Sequence, residues 1–321
     1  MAEYLKVYKR LGITFDEITG ESKFVKAAKE VSTRIEAERP SDSLLKETAL
    51  VDKRLLKSDG SSLYLSRDLA AILEHARQLD FDEKLYVVDN SQHDHFQYLF
   101  KLARDFDEIE DRDFRHIKFG RIRGLSTRQG KVQLLSEILD KAETSMIERI
   151  KRSKYARPRP EEMDDVAKTL ALTVIFINDF KQKRQMDYSD PFLTLQQSEG
   201  DSGVFLQYNH ARLCSVEKNS GVKLNPDVAL DYLNEEEALA LISHLSLAPA
   251  TAQTAMEDFE PVVIVKYLFL NAHLTSKALK SLRVKDRAPE VAEGRLFLFH
   301  CSRIVARSFL KLLGIQPLDA M

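Results

Sequence analysis

A glycine-rich, cationic stretch, Phe119–Lys131, most constrains what this chain can fold into, because the residue pattern differs on its two sides. Gly120, Gly124 and Gly130 permit backbone conformations that other residues resist, and Ser126, Thr127 and Arg128 set two hydroxyls and a guanidinium between them. Seven basic residues between Arg112 and Lys131 face one carboxylate, Asp113, so the local field attracts an anion such as phosphate. Before this loop strands alternate with helices; after it the apolar spacing is helical. The pattern predicts an α/β region followed by an all-α region, with the boundary between about Tyr188 and Asp201.

Taken in order, helices are predicted over Met1–Leu11, broken by Gly12, and from Gly20 towards Glu38, ended by Pro40. Ile13–Asp16 reads as a short β-like stretch. Leu50–Leu56 and Ser62–Leu65 read as the strands of a hairpin turning at Asp59-Gly60. Tyr64 then ends a strand, and Asp68 falls in the first turn of a helix capped by Ser66. Lys84–Val88 is a short apolar strand followed at once by Asp89, Asn90, Ser91 and Gln92 and a helix from His93 to Phe106. In open parallel sheets ligands sit beyond the carboxyl ends of strands, which makes Asn90–His95 the expected neighbourhood of a site. His116–Phe119 reads as a further strand. Beyond the loop, helices are predicted over Ser136–Ile150, Glu161–Phe180, Val204–Asn219, Glu235–Ser246, Pro249–Phe259, Pro261–Leu282 and Pro289–Leu313. The basic run Arg149–Pro160 reads as a solvated linker.

Length and composition exclude several classes. With 321 residues, 44% of them apolar, the chain has room for about two domains with sizeable cores. A formal charge of -2 gives no overall basic signature, so any contact with nucleic acid rests on local patches. Two cysteines, Cys214 and Cys301, make no disulfide framework and suit a reducing compartment. No apolar run reaches the roughly 18 residues of a membrane span. No metal is expected: His93 and His95 lie two apart with no cysteine or carboxylate to complete a ligand set. Neither usual nucleotide-binding glycine fingerprint occurs, and a hydrolytic triad has no nucleophile elbow to rest on. Tyr64 and Asp68 together offer a carboxylate beside an aromatic face, which suits a guanidinium; a carboxylate in a first helical turn also serves the helix dipole alone.

Several motifs read together carry a resemblance. Lys57–Ala70, the strand with Gln92 and His95-Phe96, His116–Gly130 with Leu-Ser-Thr-Arg-Gln-Gly, Gly200–Leu213 with Gly-Val-Phe-Leu-Gln-Tyr, and the ending Leu-Leu-Gly-Ile-Gln-Pro-Leu-Asp-Ala-Met321 resemble arginyl-tRNA synthetase, a class I aminoacyl-tRNA synthetase. The wording, including Ala288–Leu296, is most like the mitochondrial form of animals. The resemblance implies a class I nucleotide-binding, Rossmann-like domain in truncated form with connecting helices over residues 1–190, and a helical-bundle anticodon-binding domain over 191–321. It implies an arginine-tRNA ligase that forms arginyl-adenylate from ATP with Mg2+ as substrate and uses no tightly bound cofactor. Tyr64, Asp68 and Gln92 match positions that hold arginine, with Asp68 on its guanidinium. Ser126, Thr127 and Arg128 match the catalytic class I loop that closes over the ATP phosphates, joined for ATP by His95 and Gly124. Ser202, Phe205, Tyr208, Arg212 and Met321 match tRNA-contacting positions, with core packing an equal alternative for Phe205 and Tyr208. The implied partners are arginine-accepting tRNA, L-arginine and ATP, with no membrane. A monomer in the mitochondrial matrix is expected, with the cytoplasm as alternative.

Two departures qualify this. Gln129 stands where the family loop often has lysine. The class I His-x-Gly-His motif is absent, and Met1 matches a point downstream of it. Three readings stay open: a ligase represented here by part of its sequence, a short form that binds tRNA or a partner without catalysis, and a helical interaction protein with a vestigial sheet.

Overall fold

Helical spacing dominates the chain, and a computed structural model, describing residues 1–37, 63–123, 134–153, 158–189 and 201–321, shows where each apolar face goes. Residues 14–120 form one unit; residues 1–13 and 121–321 form another. The first helix, α1 (Ala2–Leu11), belongs to the latter and stops where Gly12 turns left-handed at φ 71°.

In residues 14–120, α2 (Val25–Ala37) meets α3 (Tyr64–Gln78) through small residues, Ala28 against Ala70, beside Phe24. Along α3, Leu65, Leu69, Ile72, Leu73 and Ala76 recur at helical spacing and are buried. They share a core with Phe96, Leu99 and Leu102 of α4 (His93–Ala103). Packed with this core is a two-stranded parallel sheet, β1 (Glu83–Asp89) beside β2 (Asp113–Phe119), in register from Glu83↔Asp113 to Asp89↔Phe119. Tyr86 and Val88 turn towards the helices whereas Val87 is exposed, the period-2 alternation of a strand. Full burial of a Leu69- or Leu99-sized side chain contributes roughly 1.5–3 kcal/mol each to holding the β1-α4-β2 unit.

Two expectations change here. Ile13–Asp16 forms no strand. Tyr64 opens α3 rather than ending a strand, and Ser66 lies inside the helix with its hydroxyl donating to the Leu63 carbonyl (2.9 Å). The alternation of Ser62–Leu65 resembles a strand, but Leu65 is already the first residue of the buried helical face, and burial outweighs local pattern. The predicted hairpin at Leu50–Gly60 lies outside the described residues.

The other unit is built from helices. Arg10 fastens α1 to α5 (Leu135–Arg152), its guanidinium 2.8 Å from both Asp140 and Glu143. α5 packs against α6 (Met163–Phe180) around Ala142, Met146, Leu170 and Val174. Two very short strands, β3 (Ile122–Arg123) and β4 (Tyr188–Ser189), pair in parallel, although only helices are predicted after Glu161. The Arg121 amide donates to Asp187 (2.8 Å), a non-local closure that no local pattern announces.

From Gly203 onward the described residues are helices and their connections: α7 (Gly203–Asn219), α8 (Glu236–Leu245), α9 (Ala248–Asp258), α10 (Pro261–Ser281) and α11 (Pro289–Leu312). Pro261 and Pro289 begin their helices at the first position, where a missing N–H costs nothing. Core residues Leu213, Leu241, Leu296 and Phe299 join α7, α8 and α11. At Gly203, α7 approaches α6 so closely that an added Cβ would lie 2.8 Å from the Thr173 carbonyl oxygen. Among the described residues, no helix is long and apolar enough to cross a membrane.

Candidate active site and nucleic-acid groove

Tyr64 and Asp68 stand four residues apart on α3 and therefore share a helix face. The Tyr64 ring is 68% exposed, and the Arg67 guanidinium lies over it, 5.8 Å from the centroid. One aromatic face thus already carries a guanidinium. Asp68 accepts a 2.8 Å hydrogen bond from His95 Nε2, reaching from α3 to the first turn of α4, just beyond the carboxyl end of β1. The resemblance implies arginine binding for Asp68 and ATP binding for His95, and their side chains meet.

Other polar groups gather at the carboxyl ends of the strands. His93 and His116 stack with centroids 6.2 Å apart, Lys118 Nζ lies 3.4 Å from His93 Nε2, and His116 Nε2 donates to the Val88 carbonyl (3.0 Å). Asp89 accepts from the Ser91 amide (2.7 Å) and so shapes the turn into α4. Gln92, the residue before α4, is exposed. His93 falls in the Asn90–His95 neighbourhood expected from sequence, whereas His116, in the middle of β2, and Lys118, near its end, were not assigned a site role.

The field near Asp68 is unusual. Burial lowers the Lys84 ammonium to about 8, with Asp68 opposing the shift, and burial raises the Tyr86 phenol, which Asp68 raises further. Lys84 Nζ lies 2.5 Å from His75 Nδ1, and burial, then the Lys84 charge, lowers His75. Asp68 is therefore the carboxylate beside a partly desolvated cation, with its own side chain 36% exposed and open to a ligand. Gly124, Ser126, Thr127 and Arg128 lie outside the described residues.

A second site lies on the helical unit. A groove of about 900 Å³ is lined by Tyr208, Arg212 and Lys218 of α7, Arg303 and Arg307 of α11, and the carboxyl-terminal Met321. A neighbouring cavity of about 530 Å³ shares Arg212 and adds Arg283, Lys285 and Arg287 from the turn between α10 and α11. Arg303 is held by Glu217 (2.6 Å) and Arg307 by Asp319 (2.7 Å). Arg212 and Lys218 carry no ion-pair partner among the described residues. Tyr208, 43% exposed, faces solvent. Phe205 packs on the core and against the His273 ring, 5.1 Å away, the core-packing alternative for this residue. Ser202 caps α7 by accepting from the Phe205 amide (3.4 Å). Arg303 and Arg307 escaped sequence reasoning because two arginines one turn apart read as an ordinary solvated face.

Cys214, half-buried, lies 3.8 Å from His210 Nδ1 and 3.7 Å from Asp319 Oδ1. These three groups are close enough to hold a metal ion. However, His210 Nδ1 donates to the Leu318 carbonyl, Arg307 occupies Asp319, and burial pushes the Cys214 thiol up to about 11. The geometry is that of a carboxyl-terminal tail docked on α7.

Comparison with known proteins finds matches along both parts of the chain. Residues 1–192 match the family model described as tRNA synthetases class I (R), catalytic domain, and residues 206–321 match the DALR anticodon binding domain. A probable cytoplasmic arginine-tRNA ligase of Dictyostelium discoideum is 34% identical over 100% of this chain and 56% of its own length. A probable mitochondrial arginine-tRNA ligase of Homo sapiens is 36% identical over 99% and 57%. The chain thus spans little more than half the length of these curated relatives. Among solved structures, the arginyl-tRNA synthetases of Plasmodium falciparum and Thermus thermophilus both superpose with a TM-score of 0.79, at 21% and 19% identity. They cover 100% and 99% of this chain with 56% and 62% of theirs, which establishes a shared fold. With a catalytic-domain match over the first 192 residues and an anticodon-domain match over the last 116, this chain belongs to the arginyl-tRNA synthetase family.

Proposed function

We propose that this chain serves the ATP-dependent attachment of arginine to its tRNA through arginyl-adenylate, with residues 1–190 on the catalytic side and 191–321 on the tRNA side. The supporting observation is the α3 face that carries Tyr64 and Asp68, with Asp68 hydrogen-bonded to His95 beyond the end of β1. In this reading the Asp68 carboxylate pairs with the substrate guanidinium, the Tyr64 ring covers it, and Gln92 fixes its orientation. His95 holds the Asp68 carboxylate in place and borders ATP. Gly124, Ser126, Thr127 and Arg128 neutralise the phosphates while the arginine carboxylate attacks the α-phosphate and pyrophosphate, with Mg2+, departs. The tRNA 3′ hydroxyl then takes the acyl group. These residues act by position and charge rather than by a covalent step of their own.

On the helical side Ser202, Phe205, Tyr208, Arg212 and Met321 serve tRNA, with Tyr208 free to stack on a base. The protein acts as a monomer in the mitochondrial matrix; the similarity of cytoplasmic relatives keeps the cytoplasm as the alternative. The tRNA part is testable on this chain itself. Filter binding of arginine-accepting tRNA over a salt series is expected to give a linear log-log dependence, and Arg212→Ala or Lys218→Ala should each reduce its slope by about 1. Slopes identical to that of the unaltered chain would exclude the groove as the binding surface.

A further inference from the structure

Two side chains that hold the carboxyl-terminal tail, Gln207 and His210, do not line the groove. After α11 the chain turns at Gly314, left-handed at φ 73°, and residues 315–321 run without regular structure along α7. Gln207 and His210 of α7 are fully buried and both bind this tail. Gln207 Nε2 donates to the Gln316 carbonyl (2.9 Å) and to Thr173 Oγ1 (2.9 Å), while its Oε1 accepts from the Leu318 amide (2.8 Å). A side-chain amide here pairs with extended backbone as a neighbouring strand would, and both of its N–H groups are used. One turn on, His210 Nδ1 donates to the Leu318 carbonyl (2.8 Å), so both backbone groups of Leu318 are clamped. Arg307 then fixes Asp319 from α11 (2.7 Å). Leu318 and Met321 pack against the core shared by α5 and α6.

The clamp decides what the groove looks like. Asp319, Ala320 and Met321 line it together with Tyr208, Arg212 and Lys218. Ordering an extended tail opposes chain entropy of roughly 1–2 kcal/mol per residue, and Asp319 and Ala320 are exposed, so the bonds to Leu318 and the packing of Met321 help offset that cost. We propose that Gln207 and His210 are positioning residues for RNA: they touch no nucleotide, but they lock the tail so that Asp319–Met321 close the groove around a base. This rests on the reading of the groove as the tRNA surface. It also separates two functions along α7, in which Tyr208, Arg212 and Lys218 face the ligand while Gln207 and His210 face the tail.

Filter binding of an arginine-accepting tRNA transcript at one fixed salt concentration tests this, together with hydrogen exchange at the Leu318 amide. Gln207→Leu, His210→Leu and deletion of residues 319–321 should each weaken binding about tenfold, the loss of one stacked base. Gln207→Leu combined with the deletion should be no worse than either alone, because both remove the same lining. His210→Asn, whose amide N–H can still donate to Leu318, should restore most of the affinity. The Leu318 amide should exchange faster in Gln207→Leu and not in His210→Asn. Additive losses, or an unchanged affinity while Leu318 exchanges freely, would overturn the proposal. Should Gln207→Leu fail to fold, the deletion decides: unchanged affinity without residues 319–321 overturns it. If the unaltered chain binds no tRNA, the groove reading itself is wrong, whereas a preserved wild-type affinity with insensitive variants refutes the clamp alone.

Discussion

Gly203→Ala is a one-methyl perturbation whose cost can be worked from the structure. The new Cβ would sit 2.8 Å from the Thr173 carbonyl oxygen and 2.9 Å from both its carbonyl carbon and Cγ2. Optimal carbon contacts lie near roughly 3.5 Å, so α7 and α6 must separate by about 0.6 Å or more. Two of the three atoms met are backbone within α6 and cannot swing aside. Overpacking of this kind costs about 1–3 kcal/mol. Alanine returns about 0.4–1 kcal/mol by restricting the unfolded chain, and the net expectation is destabilisation of about 1–2 kcal/mol. The separation also strains the Gln207–Thr173 bond, so tRNA affinity should drop with stability. Urea unfolding followed by far-ultraviolet circular dichroism is the assay, since the chain has no tryptophan. Thr173→Ser removes only the Cγ2 contact and should leave most of the loss. A Gly203→Ala midpoint equal to or above that of the unaltered chain would refute the close-approach reasoning, and full rescue by Thr173→Ser would place the clash on the side chain instead.

Two further outcomes concern buried polar groups. Burial lowers His210 and His244, and the His210 Nε2 has no hydrogen-bond partner among the described residues, so protonation would bury an unpaired N–H. The folded unit keeps both neutral below the pH near 6.5 at which unfolded histidines take up protons; stability should be flat above about pH 7 and decline from about 6.5 downward, read as a falling urea midpoint. A midpoint that rises on acidification through that range would contradict the assignment. Ser302 is fully buried and bonds Thr275 (2.8 Å) and Asn271 (3.2 Å); Ser302→Ala should cost about 1–3 kcal/mol, with a less-than-additive effect when combined with Asn271→Ala, and strict additivity in thermal unfolding would argue against a shared network.

Long, strongly periodic segments were legible before the structure. The apolar faces of α6, α10 and α11 repeat over 18, 21 and 24 residues, enough turns for the 3.6-residue period to dominate. The start of α3 was not legible, because four residues of polar-apolar alternation fit a strand until Leu65 is seen facing the same core as Leu69 and Ile72. β3 and β4 escaped because two-residue strands carry no period. Of the candidate active site, the residue types of Tyr64, Asp68 and His95 were readable, whereas the Asp68–His95 bond spans 27 positions and belongs to the tertiary fold. The tail clamp is further removed from local pattern, since Gln207 and Leu318 stand 111 positions apart. Gln207 in sequence is one polar residue among several on its helix; its burial and paired backbone partners appear only when α11 delivers the tail.

The claim on which the functional account depends is that Asp68 holds the substrate guanidinium. Arginine-dependent ATP-pyrophosphate exchange in the presence of tRNA, measured on a protein of the relatives' full length that contains this chain, tests it most directly. Truncating one partner of a hydrogen-bonded charge pair costs about 2–5 kcal/mol, so Asp68→Ala should lower exchange roughly a hundredfold or more with tRNA affinity unchanged. Exchange by Asp68→Ala at the rate of the unaltered protein would contradict it.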